Sequence, residues 1–242
     1  MKNSLLLAVG ASTMAVMALT ACGGGSTASP EPASAPSSQT STPTPTPAKQ
    51  YTNDELIALV KQVKESDGTT REVVSGPDLV AQYEPVRVLI KANIEPAGCA
   101  DLGTLGAYQA IDGSTSAGTA RSKTGDFITS LAVTSGVDAG VLQASFDKSE
   151  SQIEACKKVT LSAEGDTMTL NTEKIDGVGK VPGTVALKTL MVMPDGKAGA
   201  IYSAHAIKGG VLISATASAS DSAAGGPEAV GALMDQAAAL IK

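Results

Sequence analysis

From Ser26 to Ala48 the chain is almost entirely Ser, Thr, Pro and Ala, and it closes on Thr42-Pro43-Thr44-Pro45-Thr46-Pro47. No core forms from such residues, and alternating proline favours extended polyproline II. This stretch reads as a semi-rigid stalk whose threonines are candidate acceptors for O-linked sugars. It leaves Gln50 to Lys242 as the part able to fold, the size of one domain and long enough to bury a substantial core.

Ahead of the stalk, an apolar run from Leu5 to Leu19 carries only Lys2 before it and leads into Leu19-Thr20-Ala21-Cys22, then Gly23-Gly24-Gly25. A transmembrane anchor is the competing reading, but Leu5 to Ala21 falls short of the roughly 20 residues of a span, and small residues precede the cysteine as in cleaved signals. The segment resembles a bacterial lipoprotein signal with its lipobox. That resemblance implies cleavage before Cys22, a diacylglyceryl thioether on its sulfur with fatty acyl groups such as palmitate, and a mature protein on the outer face of a membrane. Two acyl chains anchor stably where one binds reversibly. The expected organisation is a signal peptide at 1–21, a lipidated Ser/Thr/Pro linker at 22–50 and an extracytoplasmic domain at 51–242.

The whole chain has a net charge of -6, and loss of Lys2 with the signal makes the mature chain -7. An acidic chain with no basic run lacks the footprint that neutralises phosphates, so nucleic acid is not an expected partner, nor is there a polybasic patch to reinforce the lipid. Aromatics are scarce. There is no Trp, and Phe127, Phe146, Tyr51, Tyr83, Tyr108 and Tyr202 are the full set, which makes the core aliphatic. Scarcity of rings also argues against an aromatic carbohydrate platform or a base-stacking surface.

Setting Cys22 aside leaves Cys99 and Cys156, an even pair in an exported chain, and a disulfide is the expected state. A redox-active or metal-binding pair would need a CxxC spacing or nearby histidines, which are absent. No metal or cofactor is expected.

The local signals point to an α+β order. Thr52 and Glu55 form a capping box ahead of Leu56, Leu59, Val60 and Val63 at helical spacing. After Ser75-Gly76-Pro77-Asp78, the spacing of Leu79, Tyr83, Val86 and Ile90 predicts a second helix, kinked or restarted at Pro85, which runs toward a Pro96 to Cys99 turn. Tyr108 to Ile111 and Phe127 to Thr134 read as strands. Asp138 to Lys157 reads as helical, with a second capping box at Ser149 and Gln152 leading to Cys156. Strands follow at Val159 to Ala163, Gly165 to Lys174, Val185 to Met193, Ala200 to Ile207 and Val211 to Ser218. Their short connectors predict antiparallel pairing. In the last strand Val211, Ile213, Ala215 and Ala217 alternate with Leu212, Ser214, Thr216 and Ser218, which predicts one buried face. The helical stripe Val230, Leu233, Met234, Ala237 and Leu240 after Pro227 is suited to cover it. The expected fold is a curved antiparallel sheet with helices packed on it, a single domain stapled by one disulfide.

The lipobox, Thr-Pro stalk, paired N-terminal helices, Pro96 to Cys99 turn, Cys156 closing a helix and hairpin around Gly209-Gly210-Val211 together resemble actinobacterial cell-envelope lipoproteins carrying the extracellular sensor domain of the PknH kinase type. That resemblance implies a mixed fold with a central antiparallel sheet, a cleft for an envelope ligand and no established enzymatic activity. This chain has one cysteine pair where the kinase sensor has two, and no Trp before Cys156.

No catalytic constellation emerges from the residues. Ser145-Phe146-Asp147-Lys148 matches the S-x-x-K of penicillin-binding proteins, with Ser145 as nucleophile and Lys148 one turn away, but Lys123-Thr124-Gly125 precedes it where those enzymes place that strand after. His205 is the only histidine, so any triad or multi-histidine metal site would be built around it, and a structural histidine is the simpler reading. Asp166, Glu173 and Asp176 flank a strand and turns without a readable pairing. Gly23 to Gly25 lies in the tether and is no phosphate loop. The positive signal is Leu187-Lys188-Thr189-Leu190-Met191-Val192-Met193, where both strand faces turn apolar. Such a strand is either ordinary core or lines an apolar cleft in which Met191 and Met193 adapt to a ligand.

The sequence thus reads as a non-enzymatic, lipid-anchored envelope protein whose domain binds a small apolar or wall-derived ligand or an envelope protein. A structural or adaptor role is the alternative, with an envelope hydrolase third.

Overall fold

The computed structural model describes residues 49–82, 93–99, 113–163, 165–220 and 223–242. The expected signal peptide, Cys22, most of the linker, the Tyr83 to Ile90 part of the second helix and the Tyr108 to Ile111 strand lie outside the described residues.

The capping box at Thr52 is formed. The Glu55 N–H donates to Thr52 Oγ1 at 3.3 Å while Glu55 Oε2 accepts from the Thr52 N–H at 2.9 Å, which satisfies two helix-end donors. Helix α1 (Asn53–Val60) then buries Leu56, Leu59 and Val60, and Val63 is buried just beyond its end. Pro77 and Asp78 fit the first turn of α2 (Gly76–Gln82).

Ten strands among the described residues make one antiparallel sheet. They are β1 (Val73–Ser75), β2 (Asn93–Glu95), β3 (Thr115–Thr119), β4 (Ser122–Thr124), β5 (Phe127–Ser135), β6 (Lys158–Ala163), β7 (Asp166–Ile175), β8 (Val185–Val192), β9 (Ala198–Lys208) and β10 (Val211–Ala219). The order is β1-β3-β5-β10-β9-β8-β7-β6-β2, with β4 paired to β5 off that path. The five late strands pair with their sequence neighbours, as their turns predict. The β9–β10 hairpin closes through Gly209 and Gly210 alone, at φ 56° and 75°. A two-residue loop whose twist matches its strands requires positive φ at both positions, which glycine adopts without strain.

Helices cover both faces. On one, α1 and the C-terminal helix α4 (Gly226–Leu240) pack on Leu131, Val133, Ile213, Ala215 and the alanines of β9, with Val230, Leu233, Met234 and Ala237 facing the sheet. Small residues on the strands let the helix sit close. On the opposite face, α3 (Ala139–Ala155) packs Leu142, Phe146 and Ile153 on Val185, Leu187 and Leu212, while Leu79 of α2 packs on Val74 and Ala132. The expectation of a single buried face on β10 is therefore corrected, because α3 covers Leu212 from the second side.

α3 is also one uninterrupted helix. Its cap is Asp138, whose Oδ1 accepts from the Gly140 and Val141 N–H groups at 2.8 and 3.2 Å. Ser149 is buried in the helix interior rather than capping a new one, and Gln152 Nε2 donates to the Gly98 carbonyl at 3.4 Å. Its length matches the distance the chain has to cover at this point. β5 and β6 stand five strand spacings apart, about 24 Å, and 17 helical residues extend about 25 Å. The helix crosses the sheet as a strap. Cys156 at its C-cap is bonded to Cys99 in the 3₁₀ turn Ala97–Cys99 that follows edge strand β2.

Tyr51 ties the start of this unit to its end. Its N–H donates to Ser135 Oγ at 3.0 Å, its carbonyl accepts from Thr115 Oγ1 at 2.7 Å, and its Oη accepts from the Lys242 N–H at 2.9 Å. Residues 49–51 and the C-terminus therefore share the end of the sheet that carries Ser135. The β4–β5 and β8–β9 hairpin turns lie at the other end.

Candidate functional site

Strand register fixes what lies on the face crossed by α3. Beyond the helix a row of apolar side chains runs across the sheet: Ile94 beside Leu161, Leu161 beside Met168, Leu170 beside Met191, and Met191 beside Gly199. It continues one step over, with Ile201 beside Ser218 and Ser218 beside Ile128. Ile94, Leu161 and Leu170 lean on the disulfide and Val159, whereas Met168, Met191, Ile201 and Ile128 belong to no buried cluster. Met168, Met191 and Ile201 are half-buried, and Ile128 is 45% exposed. A Cβ placed on Gly199 would lie 3.5 Å from Met191 Cε, so the thioether methyl rests over the glycine.

The apolar strand Leu187 to Met193 thus divides. Leu187 lies under α3 and Leu190 packs on the α4 side, which is ordinary core. Met191 stands in the row. Met193 lies just past the end of β8, where its N–H donates to the Lys197 carbonyl at 2.8 Å and the chain turns; it and Val192 are each 41% exposed. Met168, Leu170, Gly199, Ile201 and Ile128 escaped the sequence reading, although Met168 and Leu170 carried an alternation signal.

Hydroxyl pairs stand beside the row on the same face. Thr172 and Thr189 are 3.0 Å apart, and Ser130 and Thr216 are 2.7 Å apart. Ser203, between Leu187 and Thr216 in the register, is half-exposed. Among the described residues, three charged side chains of the strands border this face: Lys174 of β7 is engaged by Glu150 of α3, Asp166 of β7 stands two residues from Met168, and Lys123 of β4 is beside Ile128 in the register.

Further under the strap, His205 and Ser214 are both buried, with His205 Nδ1 3.0 Å from Ser214 Oγ. Burial alone pushes the His205 pKa down from 6.5 to about 4, because a charged imidazolium would lose its water. The pair is a neutral hydrogen bond inside the sheet face.

The residues weighed for catalysis do not converge. Ser145 and Lys148 lie on the exposed side of α3. Thr124 faces the opposite side of the sheet, where its Oγ1 donates to Glu65 Oε2 at 2.7 Å and meets Thr129 Oγ1 at 3.1 Å. Asp166 and Asp176 are exposed, and Glu173 pairs with Lys188 at 3.1 Å. Among the described residues there is no cluster of His, Cys, Asp and Glu able to hold a metal, and no helix long and apolar enough to cross a membrane.

Thr124 and Glu65 belong to a buried ion-pair network that the sequence did not announce. Arg71 Nη1 meets Glu65 Oε2 at 2.7 Å, and Arg71 Nη2 donates to the Thr129 carbonyl and Oγ1 at 3.0 and 2.9 Å. Burial works against the Arg71 charge and Glu65 works for it. Arg71 Nε and Glu65 Oε1 are buried with no hydrogen-bond partner among the described residues.

No family model matches the chain. No curated protein matches it. Among solved structures, the chain is similar to the extracellular domain of PknH from Mycobacterium tuberculosis, at 14% identity and a TM-score of 0.48 over 78% of this chain and 98% of that one. It is also similar to an uncharacterized protein of Mycobacterium smegmatis, the Rv0999 ortholog, at 15% identity and a TM-score of 0.41 over 62% of this chain and 76% of that one.

Proposed function

We propose that this chain is a non-enzymatic, lipid-anchored protein of the cell envelope. In this reading Cys22 carries the lipid, the linker at 22–50 spaces the domain at 51–242 from the membrane on its extracytoplasmic side, and the domain captures an apolar ligand on the face crossed by α3. The lipobox and the disulfide support the location. The observation that carries the binding role is the apolar row centred on Met191, in which Met168, Met191, Ile201 and Ile128 stand outside every buried cluster among the described residues, while Ile94, Leu161 and Leu170 flank the disulfide. Apolar surface left uncovered on a folded unit marks binding more often than packing.

Native mass spectrometry with lipid extraction, applied to the mature chain secreted with Cys22→Ser so that its own lipid is absent, tests the reading. A discrete adduct that extracts as one species, and is lost in Met191→Ala, is expected. An apo mass that stays clean after exposure to envelope lipids overturns it.

One observation favours the adaptor reading as a second role. Ile128, Val192 and Met193 are exposed at the end of the sheet away from Tyr51, a surface open to an envelope protein. Cross-links from that end to a single envelope protein, lost in Val192→Asp, would favour it.

A further inference from the structure

The apolar row carries opposite charge at its two ends, and that polarity selects the head of a ligand lying along it. Strand register sets Lys123 of β4 directly beside Ile128 on this face, while Asp166 stands two residues from Met168 on β7. Directly opposed residues of an antiparallel pair have Cβ atoms about 5 Å apart, which puts the lysine within reach of anything seated on Ile128. Lys123 is exposed and takes part in no hydrogen bond or ion pair among the described residues. Arg121 and Asp126, its charged neighbours in sequence, are likewise exposed and unpaired there, so two cations stand against one carboxylate at this end. The other charges bordering the row are already met: Lys174 by Glu150, Lys157 by Glu154 at 2.6 Å, and Lys197 by Asp195 at 2.6 Å in the β8–β9 turn. The hydroxyls in line with Ile128 and Ile201 are also engaged. Ser218 Oγ donates to the Ile128 carbonyl at 3.4 Å, and Thr172 and Thr189 bond each other. The polar group left over in that line is the Lys123 ammonium.

We infer that the face takes a long-chain carboxylate of the fatty-acid type, its head at Lys123 beside Ile128 and its chain running across Ile201 and Met191 toward Met168. The inference rests on the apolar-binding reading above and adds to it the sign of the head and the direction of the chain. At the exposed β4 rim a carboxylate keeps its water and gains a cation, a pairing worth up to about fivefold in affinity between exposed groups. Laid the other way round, the chain would bring its carboxylate to Asp166, where like charges repel. An ammonium head meets the opposite signs, and a glycerol head gains nothing at either end. From β5 to β7 the row spans four strand spacings, about 19 Å, which accommodates a long acyl chain lying flat.

The test uses the mature chain with Cys22→Ser and its disulfide intact, and three probes with chains of equal length: myristate, monomyristoylglycerol and tetradecylamine, each at neutral pH, low salt and below its self-association concentration. Comparing each probe between the native surface and Lys123→Gln cancels the contribution of the hydrocarbon. The substitution is expected to weaken myristate about threefold to fivefold, to leave monomyristoylglycerol unchanged and to tighten tetradecylamine, and the effect on myristate should fade as salt is raised. Direction is read by methyl NMR. A stearate spin-labelled near its methyl end should broaden the Met168 and Met191 methyls, and one labelled beside its carboxylate should broaden the Ile128 methyl instead. Myristate affinity unmoved by Lys123→Gln, or broadening in the opposite order, overturns the head-group inference while leaving the apolar binding reading intact. No binding by any probe, or binding that disturbs none of these methyls, overturns both.

Discussion

His205 Nδ1 and Ser214 Oγ face each other at 3.0 Å across the β9–β10 pair, both buried beneath the strap helix α3. The only imidazole in the chain is thus held neutral, with its pKa lowered from 6.5 to about 4 by burial. Between those values the unfolded chain binds a proton that the folded chain refuses, so stability rises with pH. The contribution is fully present above pH 6.5 and is lost as pH falls toward 4, a total of about 3 kcal/mol at one proton per unit. Urea melts from pH 7.5 to 4 should show this slope in the native chain and a shallower one in His205→Gln. Parallel slopes would place the imidazole in contact with water.

The disulfide joins two places that little else holds together. Cys99 follows a three-residue edge strand and Cys156 ends the strap, 57 residues apart. Closing a loop of that length stabilises the fold by about 4 kcal/mol in the chain-entropy model. Reduction should cost up to that amount. In hydrogen exchange, residues 93–99 and the last turns of α3 should open first, while α4, buried along Val230 to Ala238, keeps its protection. Uniform loss of protection would mean that the strap and the sheet unfold as one unit.

Much of this architecture was legible because it rests on local rules. The α1 capping box, the alternation of β6 to β10, their glycine turns and the cysteine parity are each written in a few adjacent residues. The strap was legible as a helix but not as a cover, since the buried stripe on its 17 residues holds just three apolar side chains, Leu142, Phe146 and Ile153, interrupted by Ser149, and a stripe that sparse reads as a surface helix. β1, β2 and β4, three residues each, are too short for alternation to register. The candidate site was legible only at Met191. Its other members become a surface through what α3 leaves uncovered, and that is a property of the crossing angle and register rather than of any one segment.

Gly226 has no room for a side chain. A Cβ there would overlap the ring of Tyr202, which meets Phe127 edge-on with centroids 6.1 Å apart and donates its hydroxyl to the Ala223 carbonyl at 3.1 Å. Gly226→Ala should therefore destabilise by about 3 kcal/mol, as overpacking of a closed core does. The same substitution in a Tyr202→Ala background should cost much less, because the clash is with the ring. Denaturant melts of the two singles and the double measure the coupling, and additive costs would mean that α4 shifts away from the sheet instead.

Arg71 and Glu65 are worth more as a pair than either is alone. Their side chains are 1% and 11% exposed, so Arg71→Met strands a buried carboxylate and should cost about 3–5 kcal/mol. Replacing both partners, Arg71→Met with Glu65→Leu, removes the two desolvated charges together and should recover most of that loss. A double variant as unstable as the single would show that the Arg71 bonds to Thr129, rather than the ion pair, hold this corner of the sheet.

Met191 separates binding from folding more cleanly than any other position in the row. It is half-buried, packs on no buried cluster, and rests over Gly199, so Met191→Ala removes contact surface without opening the core. The expected stability cost is about 1 kcal/mol or less, against roughly 2–5 kcal/mol for a methionine in a packed core. Loss of an adaptable side chain from the centre of the row should at the same time weaken capture of an apolar probe at least tenfold. Leu187→Ala is the counterpart: it lies under α3 and should cost core-like stability. Probe titrations alongside melts on both variants make the comparison. If Met191→Ala costs as much stability as Leu187→Ala, the residue belongs to the core and the row is not a ligand surface.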